Sequence, residues 1–205
     1  MNDRDLLRRL AIAGHEGDTA TPLRALADPD PIARQLALGA LDRTGALTDE
    51  QVRAAFDDPD PGVRHRAAVL AATRPSVSLL PVLADVDGTV VEAAAWAAGE
   101  QEIVSDDVLQ RLIGLATDDD ALTREAAVAA LGAIGDERGL PAILGGCADK
   151  PNIRRRAVLA LAPFSGPDVD AALAGALVDR DWQVRQAAED LLPHMAEPPE
   201  PLEDS

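Results

Sequence analysis

One helix-opening sequence is repeated along this chain, and its spacing leaves few folds open. In Asp58-Pro59-Asp60-Pro61-Gly62-Val63-Arg64, Asp60 is placed to cap the free N–H groups of a first turn. Pro61 suits the first helical position, where its missing N–H loses nothing. Val63, Ala67, Leu70 and Ala71 then share one face of a 3.6-residue period. The same opening stands at Asp28-Pro29-Asp30-Pro31-Ile32-Ala33-Arg34 and, altered, at Asp118 to Arg124. Asp85 to Val91, Lys150 to Arg154 and Asp179 to Arg185 are further variants. Six copies at a spacing of about 30 residues predict an all-α solenoid, each unit too small to bury its apolar face alone.

The pattern D-x-D-P-x-V-R-x-x-A-A-x-x-A/L, preceded by a short apolar helix, resembles the HEAT repeat, in particular the short form found in bilin lyases. The resemblance covers residues 21 to 194. It implies a right-handed α-solenoid of about six stacked helix-pair HEAT repeats behind an N-terminal capping helix. It also implies a ladder between repeats, formed by an Asp and an Arg six positions apart. The spacing appears as Asp28/Arg34, Asp58/Arg64, Asp118/Arg124 and Asp179/Arg185. Val91 breaks it in the third unit, and the fifth keeps Arg154 with its acid at Asp149, five residues away. Irregular stacking is expected at those two units. Function does not follow from the resemblance, because HEAT arrays serve many.

Aromatics are 2% of a 47% apolar sequence, so Ala, Leu, Val and Ile must build the core. Small residues suit helices that approach closely. The net charge of −17 disfavours nucleic acid and anionic membranes as partners. A single cysteine, Cys147, excludes an intramolecular disulfide framework and reads as a small filler in a helix. The charged first residues lack the apolar core of a signal peptide, and no apolar run approaches the ~20 residues of a membrane span. A cytoplasmic monomer is expected, and the bias towards Ala, Arg, Gly and Pro with one lysine fits a GC-rich bacterial source.

In chain order, Asp3 to Ala13 is predicted as the capping helix, with Gly14-His15-Glu16-Gly17-Asp18 as a loop. Thr21 caps the first outer helix, with Pro22 at its first position. Further outer helices are expected at Leu47–Phe56, Ser76–Ala84 with Pro81 shortening it, Ser105–Ala116, Glu137–Cys147 and Asp168–Val178. Residues 1–195 are read as a single solenoid and 196–205 as a disordered acidic Pro-rich tail.

Nothing in the sequence carries catalytic chemistry. Some HEAT proteins are metal-dependent hydroxylases built on several His-Glu pairs; here there is one, His15-Glu16, and His65 and His194 are distant. No metal, cofactor or catalytic residue is expected, and the repeated aspartates are read as caps and ladder members. What remains is the face of the inner helices. Its first row is Gln35, His65, Glu92, Glu125, Arg155 and Gln186, and its second Gly39, Val69, Trp96, Ala129, Leu159 and Asp190. In HEAT arrays such rows line the concave surface. The candidate binding residues are His65, Val69, Glu92, Trp96, Arg155, Arg156 and Leu159, with Trp96 either an anchor or a filler for the gap at Val91. Trp182, where other units have Pro, is read as a wedge between units. The function expected is a non-enzymatic scaffold for a partner protein or peptide. The alternative is a bilin-lyase-like or chaperone-like factor holding a small ligand or cofactor on that face.

Overall fold

The computed structural model describes residues 3–195; the expected tail lies outside them. Thirteen α-helices and one 3-10 turn make up the described residues, with no strand among them. The chain divides into two compact units, one up to Arg111 and one from Leu112.

The first unit holds α1 (Asp3–Glu16), α2 (Ala20–Ala25), α3 (Pro31–Arg43), α4 (Asp49–Ala55), α5 (Pro61–Ala71), α6 (Leu80–Leu83) and α7 (Gly88–Glu100). Here α3 packs against α1 and α5, and α5 against α7, while the short α2, α4 and α6 each lie on the long helix that follows. Helix α8 (Asp106–Leu115) spans the division. The second unit holds α9 (Ala121–Ile134), a 3-10 turn (Glu137–Gly139), α10 (Leu140–Gly146), α11 (Pro151–Ala160), α12 (Pro167–Leu177) and α13 (Trp182–Met195). In it α11 packs against both α9 and α13, and α10 and α12 flank the same helices.

The long helices start where they do because the two aspartates of each opening divide the work. The second is the cap: Asp30 accepts from Ile32 N at 2.9 Å, Asp60 from Val63 N at 3.2 Å and Asp120 from Thr123 N at 2.8 Å. The first folds the turn before the cap. Asp58 accepts the Asp60 N–H at 2.9 Å, Asp85 that of Asp87 at 2.8 Å and Asp179 that of Asp181 at 2.8 Å. On α4 the cap is Thr48, which forms a capping box with Gln51.

Three boundaries differ from the sequence expectation. Helix α1 continues through Gly14 to Glu16, so His15 and Glu16 are helical and not in a loop. A Cβ on Gly14 would lie 2.6 Å from Arg43 Nε and 3.3 Å from Ala40 O, so the glycine lets α1 close on α3. At α2 the Thr21 N–H is satisfied by Asp18 at 3.1 Å, and Thr21 and Pro22 are buried inside the helix instead of opening it. The third outer helix contracts to the four residues of α6, though Val77 and Leu79 before it are still fully buried.

Candidate binding surface

The openings carry a second set of bonds. The Arg34 guanidinium donates through Nε and Nη2 to both carboxylate oxygens of Asp58, each at 2.7 Å, and through Nη1 to Asp28 O at 2.8 Å. Arg64 repeats this with Asp85, at 2.6 and 2.8 Å, and with Asp58 O. In the second unit Arg124 holds Asp149 at 2.7 and 2.9 Å, and Arg154 holds Asp179 at 2.8 and 2.7 Å. Each arginine thus grips the carboxylate of the next repeat and only the backbone of its own. At Asp118 the preceding repeat has Val91 in place of an arginine; its carboxylate accepts the Asp120 N–H at 2.9 Å, and Arg124 takes its carbonyl.

The fifth repeat is regular in this respect despite its shortened loop. Asp149 receives Arg124 and offers its carbonyl to Arg154 at 2.8 Å, while Lys150 stands at the cap without a side-chain bond. Bidentate pairing fixes both charge states. The guanidiniums hold the carboxyls of Asp85, Asp149 and Asp179 below the usual carboxylate range. Burial pushes the Asp58 carboxyl up, yet Arg34 and the Asp60 N–H bring it below that range too. Val91 brings no guanidinium; it is 5% exposed and contributes apolar burial instead.

The inner-helix rows are uneven. In the first unit His65, Glu92 and Trp96 are exposed, and Gln35 and Val69 are half-buried. Gly39 is covered: a Cβ there would lie 2.6 Å from Arg66 Nη2, so the second row begins beneath a guanidinium. Trp96 is 49% exposed on a helix whose neighbouring Val90, Val91, Ala93, Ala94, Ala95, Ala97 and Ala98 are all buried.

In the second unit Glu125 accepts from Asn152 at 2.6 Å and stands 3.9 Å from Arg156, which is therefore not wholly free. Arg155 is exposed and pairs with no carboxylate among the described residues. It opens onto a groove of about 200 Å³ lined also by Leu159, Trp182, Gln186 and Asp190. Trp182 is 62% exposed, so it is a groove wall and not a buried wedge. The sequence held a signal for this: Trp182, Gln186 and Asp190 recur every four residues on one helix face.

Residues 76–152 match the family model described as HEAT repeats. That stretch is built of HEAT repeats. An engineered protein of known structure superposes with a TM-score of 0.60 at 19% identity, over 96% of this chain and 99% of that one. An X-ray structure of YibA from E. coli gives 0.59 at 19% identity, over 92% of this chain and 68% of that one. At such identities the likeness is one of fold, that of HEAT- and armadillo-like helical repeats. No curated protein matches the sequence. HEAT-like arrays typically present their repeated helix faces to other proteins.

The other chemistry-bearing groups of the chain lie apart. His15 and Glu16 end α1, and His65 is on α5. Among the described residues no three His, Cys, Asp or Glu side chains gather to hold a metal ion. Burial pushes the Cys147 thiol up to about 11, so it is protonated and a poor nucleophile at neutral pH. It borders a cleft of about 460 Å³ beside Leu144, Ala172, Gly175 and Ala176, on the outer helices α10 and α12. No described helix is long and apolar enough to cross a membrane.

Proposed function

We propose that this chain is a non-enzymatic, cytoplasmic interaction module that binds a partner protein or peptide on the exposed faces of its inner helices. The observation that carries this reading is Trp96. Its apolar neighbours on the helix, Val90 to Ala98 apart from Glu92, are buried, and Val91 is itself packed, so nothing in the packing requires half of an indole in water. Glu92 one turn before it and His65 on α5 are exposed polar side chains of the kind that rims an aromatic anchor. In the second unit Arg155 would add orientation and association rate towards an acidic segment more than affinity. A small-ligand role is the second reading, supported by the cleft beside Cys147 and not by the inner face.

The test is Trp96→Ala. It is expected to weaken partner binding by roughly 2 kcal/mol or more while the thermal midpoint and helicity hold. Arg155→Glu should slow association in a salt-dependent way. If Trp96→Ala melts early and the chain still co-isolates every partner of the parent, Trp96 is a packing residue and this reading fails.

A further inference from the structure

We propose that Glu92, Trp96 and Glu100 of α7 form a stripe that takes an extended basic segment of a partner protein, one with an apolar residue midway between two arginines. The inference rests on the interaction-module reading and names the chemistry of the partner on the first unit.

The three side chains recur every four residues on one face of the helix, and all three are exposed. The indole is an apolar platform in water, and a carboxylate stands one turn to either side of it. The fold compensates neither acid: among the described residues Glu92 and Glu100 make no ion pair. Arg66 of the neighbouring α5 lies against α3, 2.6 Å from where a Cβ on Gly39 would stand. Glu100 is placed against its own helix. It ends α7, whose last turn holds no basic residue, and a helix C-terminus is the negative end of the macrodipole. Glu102, two residues on, is exposed and equally unpaired. Like charges there oppose the helix, whereas a cation brought by a partner meets carboxylate and helix end together.

The stripe is held in place and has a usable spacing. Gln101, directly after it, donates through Nε2 to Ala71 O at 3.0 Å and to Arg74 O and Val77 O at 3.3 Å, which ties the end of α7 to the turn after α5. Successive members stand about 6 Å apart along the helix axis, at 1.5 Å per residue. Alternate side chains of an extended chain share one side and stand about 6.6 Å apart. A segment Arg-x-Leu-x-Arg therefore sets its arginines at Glu92 and Glu100 and its leucine on Trp96. A guanidinium suits these sites better than an ammonium, because its planar fork takes both oxygens of a carboxylate. The net charge of −17 draws such a segment in from solution.

The experiment uses the full chain carrying Trp182→Phe, so that Trp96 is the one indole, and follows its emission. The capped peptide Gly-Arg-Thr-Leu-Thr-Arg-Gly is expected to shift that emission to the blue and to saturate, as the indole leaves water. Glu92→Gln and Glu100→Gln should each weaken binding roughly threefold at unchanged thermal midpoints, and the difference should shrink in high salt. The rearranged peptide Gly-Arg-Arg-Thr-Leu-Thr-Gly has the same charge and should bind several-fold more weakly. Equal binding of the two basic peptides overturns the proposal, as does equal binding to the parent and to the double glutamine variant, since overall charge then explains both. A saturable shift with the acidic peptide Gly-Glu-Thr-Leu-Thr-Glu-Gly, or none with any peptide, overturns it too. If Trp96→Ala still loses a co-isolated partner in that case, the interaction-module reading stands and only the basic partner falls.

Discussion

At the scale of the residue, the arginines of the ladder are not equivalent to surface charges. Arg64 satisfies both oxygens of Asp85 and a carbonyl of its own repeat, and the two side chains are only 13% and 7% exposed. Removing it leaves a nearly buried carboxylate without its counter-charge. Arg64→Ala is therefore expected to cost about 2 to 4 kcal/mol in urea unfolding. Arg185 donates to Asp179 O at 2.6 Å and pairs with no carboxylate among the described residues, so Arg185→Ala should cost about 1 kcal/mol. Equal losses would show that the carboxylate half of the contact contributes nothing. Arg64→Lys should recover little, since an ammonium cannot reach both oxygens in one plane.

At the scale of the element, helix contact distance is set by the smallest residues. Gly132 of α9 faces α11, where a Cβ would meet Ala160 Cβ at 2.5 Å and Ala160 Cα at 2.6 Å. Backbone atoms cannot swing aside, so Gly132→Ala should cost about 2 kcal/mol or more. Gly145 in α10 has nothing within 4 Å of its Cβ position, and Gly145→Ala should stabilise by about 0.5 to 1 kcal/mol. Paired thermal melts check both signs. Helix starts were legible in the sequence because a cap is a local device: Asp60 and Thr48 act within three residues. What lay beyond local reading was decided by tertiary contact. Gly14 reads as a break until Arg43 fills the space above it, and Thr21 reads as a cap until Asp18 takes its N–H. Register puts Trp96 on the second row of the inner-helix face but leaves open whether it anchors a partner or fills the gap at Val91, and Trp182 reads as a wedge from its resemblance in position to proline although it is 62% exposed.

For the whole molecule, acid is the condition that loosens the most contacts at once. Hydrogen bonds from the ladder arginines hold the carboxyls of Asp85, Asp149 and Asp179 below the usual carboxylate range, those to Asp58 do so against its burial, and bonds from Thr89 and Thr123 do the same for the caps Asp87 and Asp120. A carboxyl whose pKa is depressed on folding is protonated first in the unfolded chain. Its stabilisation is complete above the unfolded value and is lost as pH falls through the lower, folded one. Stability should therefore hold down to pH near 4 and fall steeply below it. Replacing Asp85, Asp149 and Asp179 by Asn should lower stability at neutral pH and flatten that acid limb, as read from urea midpoints across pH. An unchanged slope would mean that the ladder carboxylates are not what acid titrates.

The ladder also bears on how such a chain can lengthen. Every rung joins an arginine of one repeat to an aspartate of the next, so a repeat is a part with a plug at one end and a socket at the other. A duplicated 30-residue segment inserted after Arg34, Arg64 or Arg124 brings its own matching ends and needs no further substitution. After Val91 the plug is missing, and a copy placed there must first regain an arginine. Val91 is thus the joint at which a duplicated unit would find no arginine to receive its aspartate, whereas the other joints would accept a copy unchanged.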